Sequence, residues 1–528
     1  MTTRNQIKEL INNAVSSFVP SDGTSADKDF TVEVPENKNY GDYATNVALI
    51  FSRQARDKWP NPTRLAEEIK SKISSEIFEK IEIINGFINF FLKSEFLQEQ
   101  IKEILKQGNK FGKTDISKEQ KVQIEFISAN PTGPLTVANG RGGPMGDVLA
   151  NIFSTAGYKT EKEFYINDSG VQIEILGHSI LNDEKAQYKG EYIEKLSKQI
   201  SAQGGDPYKI GQEAAKIIVE EMIKKTTDKL GIKYNKWFFE SDLHKKDLPD
   251  KIIKILKKQD LLYEKEGATW FKSTNFGDTR DRVLIKKDGM KTYLANDIAY
   301  HYNKFKERKF DKVINIWGAD HHGDVPGLMA GVEAIGYKGK LEIILHQFIT
   351  VLEKGEKVKM SKRLGTFIPL DELLNSVGSD VVRFFFLMHS ADRHMDFDLD
   401  LAKEKSDKNP VYYVQYAYAR INSILRKTKT HFSIEKLDLL NHQSEKELIK
   451  CLIKLPEIIE DIAKDYQVQR LPNYAIESAT AFHRFYTDCQ VLGEEKELEK
   501  ARLALLMATK FVLSSVLDLM GISKPEKM

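Results

Sequence analysis

Three short apolar segments constrain the fold of this 528-residue chain more than any other feature. They read KVQIEFI, KVINIW and LEIIL, and they begin at Lys121, Lys312 and Leu341. Runs of this length that are rich in Val and Ile are typical of strands buried on both faces of a parallel sheet. A loop rich in Gly, Pro and Asn follows the first run, and helical spacing then extends from Met145 to Ala156. This order of strand, loop and helix predicts a nucleotide-binding, Rossmann-type α/β unit.

The chain is too long for a single hydrophobic core, so several domains are expected. We predict an N-terminal α+β domain over residues 1–113 and a catalytic α/β domain over 114–400, with an insertion around 165–285. An α-helical bundle follows over 401–528, where apolar residues recur three and four positions apart, as in Val411–Ile424. The predicted fold class is therefore multidomain α/β, with a parallel-sheet catalytic core.

Composition excludes several classes of site. Lys and Arg total 79 and Asp and Glu total 77, so the net charge is only +2 and any nucleic-acid surface must be local. Cys451 and Cys489 form no CxxC pair, which excludes a structural zinc site built on thiolates, and no protein-bound structural metal is expected. No secretory signal and no uninterrupted apolar run of about 18 residues is visible, so we expect a cytoplasmic protein without membrane contact.

Two glycine-rich stretches come close to known nucleotide-binding motifs. Gly108-Asn-Lys-Phe-Gly112-Lys113 has three residues between its glycines where a P-loop has four, and it follows a helix instead of a strand. Gly140–Gly146 has one residue too many for a dinucleotide-binding fingerprint, and its distance from the preceding strand is too long. Spacing therefore favours neither a P-loop enzyme nor a Rossmann oxidoreductase.

The segment Lys359-Met-Ser-Lys-Arg363 carries more specific chemistry. Two lysines that flank Met360 and Ser361 can place two ammonium groups, from Lys359 and Lys362, on a triphosphate. Phosphoryl and adenylyl transfer are accelerated mainly by such placement of charge. If these five residues are considered alone, a solvated basic surface loop explains them just as well.

The wider context resembles a known family. KMSKR resembles the KMSKS loop of class I aminoacyl-tRNA synthetases, and the frame EFISANPTGPL from Glu125 resembles bacterial arginyl-tRNA synthetases. Further matches cover essentially the whole chain in the expected order: Gly41–Asn46, Asn85–Asn89, Gly267–Phe271, Asp281–Ile285, Thr292–Asp297, Gly318–His322, Asn409–Tyr416 and Met520–Met528. The resemblance implies a Rossmann-type catalytic core with an inserted domain and a helical anticodon-binding domain.

One departure from the family pattern affects the ATP site. The family signature HIGH begins and ends with histidine, whereas this chain has Thr136-Val-Ala-Asn139. Thr and Asn can donate hydrogen bonds but carry no proton charge near neutrality. Arg141 and the KMSKR lysines are expected to remain available to the phosphates. The resemblance therefore implies an active enzyme whose rate depends on Thr136, Asn139, Lys359 and Lys362.

The resemblance also implies an ATP site and the ion that accompanies the nucleotide. It places Thr136, Asn139, Gly140, His322, Met360 and Lys362 against ATP. Magnesium is expected to arrive with ATP, bound to the phosphates with few protein ligands. His321 and His322 lack a nearby third ligand, so a metal site at this pair is disfavoured.

Arginine recognition follows from the chemistry of a guanidinium group, which pairs with carboxylates in fork geometry. Tyr293 and Asp297 are four residues apart and share one face if the segment is helical. The resemblance places this pair and Glu125 on the guanidinium group, Asn130 on the α-amino or carboxylate end, and Asp320 near the amino group.

Binding of tRNA is expected to be distributed over two domains. The helical domain carries Tyr412, Tyr416 and Arg420, which the resemblance places against the anticodon, where bases stack on aromatic side chains. In the N-terminal domain, Phe87 and Asn89 are candidates for contact with the outer corner of the tRNA. Tyrosines at helical spacing are also typical of a helix core, and that alternative stays open at this point.

The resemblance implies a two-step reaction by a monomer whose partners are L-arginine, ATP and tRNA(Arg). The arginine carboxylate attacks the α-phosphate of ATP, giving arginyl-adenylate and pyrophosphate, and the tRNA terminal ribose then takes the arginyl group. The alternative is a catalytically impaired, tRNA-binding paralogue without adenylate chemistry, because the signature histidines are missing. Retention of Lys359, Lys362, Glu125, Tyr293 and Asp297 favours the enzyme.

Overall fold

The computed structural model describes residues 1–16, 30–54, 59–117, 119–200, 205–358 and 368–528. Along these residues the chain forms an N-terminal α+β unit, a unit built on a parallel sheet, and a helical unit. The multidomain α/β class predicted from the sequence is confirmed.

The N-terminal unit packs helices against a four-stranded antiparallel sheet. The run Ile81–Leu92 looks like one strand-like stretch in the sequence, but it is a hairpin that turns at Asn85 and Gly86, whose φ angles are 53° and 83°. An Asn-Gly pair with positive φ at both residues is the preferred two-residue hairpin turn. The sheet order is β1-β2-β4-β3, and the elements are α1 (Thr3–Val15), β1 (Val32–Glu33), β2 (Tyr43–Thr45), α2 (Val47–Gln54), α3 (Pro62–Lys72), β3 (Phe78–Ile84), β4 (Phe87–Leu92) and α4 (Ser94–Gln107).

The second unit alternates strands and helices around a five-stranded parallel sheet. In chain order its elements are β5 (Lys121–Phe126), α5 (Val137–Gly140), α6 (Gly142–Thr155), β6 (Lys159–Ile166), α7 (Val171–Leu181), α8 (Glu191–Gln199), α9 (Pro207–Ile217), α10 (Lys224–Lys229), β7 (Lys236–Phe239), α11 (Ser241–Lys245), α12 (Leu248–Lys258), β8 (Leu262–Lys265), β9 (Ala268–Phe271), β10 (Arg282–Ile285), α13 (Tyr293–Tyr302), β11 (Lys312–Gly318), α14 (Val325–Ala334), β12 (Leu341–His346), β13 (Ile349–Glu353), β14 (Glu356–Lys357), α15 (Leu370–Val377), α16 (Ser379–Leu387), β15 (Met395–Asp398) and α17 (Leu399–Lys403).

The three apolar runs of the sequence are confirmed as strands β5, β11 and β12 of this sheet, whose order is β12-β11-β5-β6-β7. Every pairing in it is parallel, so the carboxyl ends of all five strands lie at one edge. The last strand, β7, comes from the stretch that the sequence assigned to the insertion. The sheet therefore has two strands, β6 and β7, that the sequence analysis did not identify.

The insertion is held together by a very close approach of α7 and α9. Gly177 and Gly211 lie where the two helices touch, and a Cβ atom on Gly211 would overlap the carbonyl oxygen of Ile173. A Cβ atom on Gly177 would likewise overlap the carbonyl oxygen of Pro207. Glycine at both positions is therefore required by space rather than by backbone conformation.

The helical unit consists of long helices whose apolar faces share one core with the N-terminal unit and part of the sheet unit: α18 (Pro410–Lys427), α19 (Gln443–Leu452), α20 (Leu455–Asp465), α21 (Arg470–Asp488) and α22 (Lys496–Met520). A second, separate core lies within the sheet unit, around α12, α13 and α14. By length and composition α22 alone, among the described helices, passes as a membrane span. However, 67% of its most apolar stretch is buried inside the protein, as in the core helix of a bundle.

Two side chains of the sheet unit bind the end of α22. Arg383 is fully buried, and its Nε donates to the carbonyl oxygen of Met520 over 2.6 Å. Its remaining nitrogens reach the carbonyl oxygen of Leu230 at 3.0 Å and Oδ2 of Asp147 at 2.5 Å. Asn151 donates to the carbonyl oxygen next to that of Met520, at Leu519, over 3.0 Å. Since Asp147 and Asn151 belong to α6, this cluster fixes the helical unit to the helix that follows the TVAN segment.

Candidate active site

Glu125 lies near the carboxyl end of the central strand β5, where ligands of open α/β sheets bind. The chain turns sharply after β5, because Ile127 and Ser128 both have positive φ angles, 68° and 41°. Positive φ is costly for a β-branched residue such as Ile127, and such strain concentrates at functional sites. The turn directs the hydroxyl group of Ser128 to Oε1 of Glu125, at 2.9 Å.

The second oxygen of Glu125 is also bound inside the protein. Nζ of Lys304 donates to Oε2 of Glu125 over 2.6 Å, and both side chains are buried. The sequence did not identify Lys304, because nothing in the spacing of the chain links it to a strand 179 residues away. Glu125 is thus an anchored group whose two oxygens each have one internal donor. We call the region between Glu125 and the α13 residues Tyr293 and Asp297 the cleft.

Helix α13 carries the predicted pair Tyr293 and Asp297. Thr292 caps the helix by accepting from the backbone N–H of Ala295 at 3.4 Å, which sets the register of its first turn. Tyr293 is 59% exposed, whereas Asp297 lies deeper and is half-buried. Along the described part of the chain, no side chain or backbone group donates a hydrogen bond to the carboxylate of Asp297. The cleft therefore presents an acceptor without a donor.

The environment of Asp297 is strongly negative. Burial, together with the nearby charges of Glu240 and Glu125, raises the pKa of Asp297 to about 8. An empty site thus favours a neutral Asp297 at neutral pH, and a cation placed beside it reverses that preference. This is the electrostatic character required of a site for a guanidinium group.

Glu240 is a third carboxylate of the cleft, and the sequence missed it. It directly follows β7, so the unpredicted strand also concealed its place at the carboxyl edge of the sheet. It accepts hydrogen bonds from Tyr165 at 2.6 Å, Ser169 at 2.7 Å and Asn296 at 3.2 Å. Burial opposes ionisation, but hydrogen bonds from His244, Tyr165 and Ser169 outweigh it and lower the pKa of Glu240.

Asn130 and Asp320 lie on the loops that follow β5 and β11. Asn130 is exposed, and its amide donates to Oε1 of Gln172 over 2.8 Å, which ties the loop to α7. Asp320 is also exposed and folds back over Gly318, where an added side chain would collide with its carboxylate. His322 is exposed on the same loop. These side chains surround the edge of the sheet without bonding to Glu125 or Asp297.

The TVAN segment forms a self-contained helix cap. Thr136 is the N-cap of α5, and its hydroxyl accepts from the backbone N–H of Asn139 at 3.3 Å. Oδ1 of Asn139 accepts from the backbone N–H of Thr136 at 3.2 Å and from its hydroxyl group at 2.8 Å. The side-chain oxygen of Asn139 is therefore occupied, and its side-chain N–H groups donate to none of the described residues. Gly140 follows, where a Cβ atom would come within 2.7 Å of Leu370.

Arg141 does not serve as the phosphate ligand that the sequence suggested. It is fully buried, and its guanidinium group donates to the carbonyl oxygens of Gln347 at 2.6 Å and Ser390 at 3.0 Å. It fixes the segments around β12 and β15 to the start of α6. The sequence gave no sign of this, because both acceptors are backbone carbonyl groups more than 200 residues away.

His346, at the end of β12, is a further residue that the sequence missed. It pairs with Gly318 across the sheet, and its Nε2 would lie 3.3 Å from a Cβ atom on Gly142. Burial lowers the pKa of His346 to about 4, so it is neutral at physiological pH. A neutral imidazole thus stands beside the first turn of α6, close to the TVAN segment.

The predicted KMSKR residues Lys359, Met360 and Lys362 lie outside the described residues. The hairpin of β13 and β14 leads to them and ends at Lys357.

The candidate anticodon surface is an aromatic face formed by α18 and α21. Tyr412 and Tyr416 stack with ring centroids 6.4 Å apart, and His483 stacks on Tyr416 at 5.9 Å. The guanidinium group of Arg420 lies over Tyr416 at 5.3 Å and over Tyr486 at 5.1 Å. The sequence named Tyr412, Tyr416 and Arg420 but missed His483 and Tyr486, which a different helix supplies.

A cavity of about 400 Å³ adjoins this aromatic face, between α18 and α21. It is lined by Arg420, Lys427, Tyr486 and Gln490 among others. A pocket of mixed aromatic, basic and amide side chains suits a nucleotide base and its phosphate.

The two candidates in the N-terminal unit differ in accessibility. Phe87 is 41% exposed at the hairpin. Asn89 is only 2% exposed, and its amide donates to the carbonyl oxygens of Glu82 and Phe87 within the hairpin. Asn89 therefore supports the turn and does not present its side chain to a partner.

Comparison with known families matches three regions of the chain. Residues 5–92 match the family described as arginyl tRNA synthetase N terminal domain. Residues 178–385 match the catalytic domain of class I (R) tRNA synthetases, and residues 414–528 match the DALR anticodon binding domain.

Individual relatives extend these matches to the full length of the chain. The arginine–tRNA ligase of Carboxydothermus hydrogenoformans is 44% identical over 529 residues, which cover 94% of both chains. That of Bacillus subtilis is 40% identical over 563 residues and covers both chains completely. Among solved structures, Thermus thermophilus arginyl-tRNA synthetase is similar in fold, with a TM-score of 0.79 at 20% identity and complete coverage of both chains.

Proposed function

The chain belongs to the class I arginyl-tRNA synthetases, and on that premise we propose that the cleft between Glu125, Tyr293 and Asp297 binds L-arginine. The enzyme is an arginine–tRNA ligase that uses ATP and tRNA. The observation that carries the proposed site is the carboxylate of Asp297, which faces a negative cleft without a hydrogen-bond donor from the described residues. No observation on those residues favours the alternative of a tRNA-binding paralogue without catalysis.

In the proposed complex the guanidinium group of arginine lies between Glu125 and Asp297. A planar fork of N–H donors can bind one carboxylate on each side, which an ammonium group cannot do in the same geometry. Tyr293, at the mouth, places its hydroxyl group over the same substrate. Asn130 and Asp320, on the loops at the sheet edge, serve the α-amino and carboxylate end.

We place ATP over the TVAN segment and the loop after β11. Asn139 offers its side-chain N–H groups to the phosphates, Thr136 holds Asn139 in place, and the backbone of Gly140 lies beside them. We assign His322 to the adenosine side, and Lys359, Met360 and Lys362 to the binding of ATP and its triphosphate. Mg²⁺ is part of the bound substrate, since it arrives on the phosphates of ATP.

Catalysis then consists of positioning and charge stabilisation. The arginine carboxylate attacks the α-phosphorus of ATP, and pyrophosphate leaves. In the second step the terminal ribose hydroxyl of tRNA attacks the carbonyl carbon of the adenylate, which forms the ester and releases AMP. No covalent bond to the protein is needed in either step. Asn139 and the two lysines stabilise the charge that develops on the phosphate oxygens.

We propose that tRNA(Arg) contacts two surfaces of one chain, which acts as a monomer in the cytoplasm. The anticodon stacks on Tyr412 and Tyr416 beside Arg420, and Phe87 contacts the outer corner of the tRNA. The need for ATP and tRNA supports the proposed cytoplasmic location. All residues proposed for the site come from one chain, so no second subunit is required.

Arginine-dependent ATP–pyrophosphate exchange, with and without tRNA, tests the proposed site. Asp297→Asn and Tyr293→Phe are expected to raise the KM for arginine by about tenfold or more while the KM for ATP stays constant. Arg420→Ala is expected to weaken tRNA binding and leave both small-substrate KM values unchanged. Equal changes in the arginine and ATP KM values would contradict the assignment of the cleft.

A further inference from the structure

One face of the helix that carries the proposed arginine ligands continues past them into the protein interior. Tyr293, Asp297, Tyr300 and Lys304 follow one another at steps of four, three and four residues, which return to the same side of a helix. Tyr293 is 59% exposed, Asp297 is half-buried, Tyr300 is 2% exposed and Lys304 is fully buried. The four side chains thus run from the mouth of the cleft to the group beneath it.

Lys304 belongs to a π-helical turn, Asn303–Glu307, that directly follows α13. Such turns are rare and frequently mark functional sites, because the extra residue re-aims the side chains that follow. Lys304 lies in this turn, with its Nζ 4.1 Å from the centre of the Tyr300 ring.

The ammonium group of Lys304 is fully used. It donates to Oε2 of Glu125 over 2.6 Å and to Oδ1 of Asn315 over 3.2 Å, and it lies over the ring of Tyr300. Asn315 is held in turn by His301, whose Nε2 lies 2.9 Å from the Asn315 amide nitrogen. An ammonium group has three donors, and each has an acceptor here.

Stability alone does not account for such a pair. Burial lowers the pKa of Lys304, against the opposing effect of Glu125, so the charged form is held at a cost. Replacing a buried ion pair by apolar residues of similar size is often neutral or stabilising. The pair is better explained by what it does to Glu125, which shares its cleft with two other carboxylates, Asp297 and Glu240.

We propose that Lys304 is a positioning residue for arginine, an inference that rests on the proposed function of the cleft. Its ammonium group fixes Oε2 of Glu125, while Ser128 fixes Oε1. A carboxylate oxygen anchored by one donor keeps a second acceptor position. Those remaining positions face the guanidinium group, so Lys304 orients the ligand of the substrate without touching it.

The test compares Lys304→Met with Lys304→Arg in the full-length enzyme with tRNA present, by KM values from pyrophosphate exchange. Lys304→Met keeps the length of the side chain and removes the charge. We expect it to fold and to raise the arginine KM by about tenfold or more, as loss of a hydrogen bond to a charged group does. The ATP KM is expected to change by less than about twofold, and Lys304→Arg to recover most of the arginine affinity.

Two further variants keep the outcomes distinct. Lys304→Gln repeats the test with a donor that lacks the charge, should the Met variant not fold. An unchanged arginine KM in folded Lys304→Met, with a raised value in Glu125→Gln, would overturn the inference and leave the arginine site intact. Equal shifts of the arginine and ATP KM values in Lys304→Met would also overturn the inference, because they would show that the role of Lys304 is purely structural. An unchanged arginine KM in both Lys304→Met and Glu125→Gln would refute the proposed arginine site itself.

Discussion

The hydroxyl group of Thr136 donates a hydrogen bond to the side-chain oxygen of Asn139 over 2.8 Å. The two residues that occupy the histidine positions of the family signature are therefore bonded to each other. One consequence is that the side chain of Asn139 has a fixed orientation before any nucleotide binds. Its amide nitrogen is the group that this orientation leaves for the phosphates.

Asn139→Ala removes that donor, and we expect it to lower the rate of arginine-dependent pyrophosphate exchange by about a hundredfold, as for other single donors to a developing charge. Thr136→Ser is the matched control, because it keeps the hydroxyl group that orients Asn139. A wild-type rate in Asn139→Ala would show that the amide does not act on the phosphates.

The pKa of Asp297, raised to about 8 by burial and by Glu240 and Glu125, predicts proton-linked binding of arginine. Below that pH the empty site holds a proton on Asp297, and the guanidinium group requires its release. Affinity for arginine should therefore rise by up to about tenfold per pH unit from pH 6 and level off above about pH 8. Calorimetry in two buffers of different ionisation enthalpy counts the proton released. Asp297→Asn should bind weakly with less pH dependence, whereas a flat wild-type profile would exclude the linkage.

Arg383→Ala leaves Oδ2 of Asp147 and two carbonyl groups without their buried partner, whereas Lys162 still binds Oδ1 of Asp147 at 2.6 Å. Leaving buried acceptors without a donor costs about 1–3 kcal/mol, so the free energy of unfolding should fall by at least that amount. Arg426→Ala is the control, since it removes an exposed pair with Glu526 and should cost less than about 1 kcal/mol. Denaturant titration followed by circular dichroism measures the free energy of unfolding of both variants. Similar losses in the two would show that the Arg383 cluster does not stabilise the fold more than an exposed pair does.

Gly211→Ala introduces a methyl group where α9 touches α7, and the two helices must separate to accept it. Overpacking of this kind costs about 1–3 kcal/mol or more, and we expect the insertion to become sensitive to limited proteolysis. Gly323→Ala is the matched control, because a Cβ atom there meets no neighbour within 4 Å. Equal protease resistance of the two variants would contradict the close-packing account.

The parts of the fold that the sequence predicts are those determined locally. Runs of Val and Ile identified β5, β11 and β12, and the spacing of Tyr293 and Asp297 placed them on one helical face. The strands β6 and β7 were not predicted. The run of β6, KTEKEFYI, is largely charged, and the four residues of β7, KWFF, show no alternation and follow a long helical stretch. Glu240 was missed together with β7.

The parts that the sequence does not predict depend on distant pairs. A basic residue in a glycine-rich loop, Arg141, looks like a phosphate ligand until its backbone acceptors at Gln347 and Ser390 are known. Lys304 resembles any other lysine of a charged helix, and only the fold brings it to Glu125. Local pattern carries no information about either partner.

The position of the acceptors of Arg383 has a consequence for synthesis on the ribosome. Its carbonyl partner at Met520 is made 137 residues after it, so the catalytic unit emerges with a guanidinium group that still lacks one acceptor. The hydrogen bonds of Arg383 in the catalytic unit are therefore complete only when α22 has been synthesised and has packed against it. A nascent or truncated chain that stops before Met520 lacks the acceptor of Arg383 Nε. The unsatisfied donor lowers the free energy of unfolding by about 1–3 kcal/mol, so such a chain is less stable than the complete one.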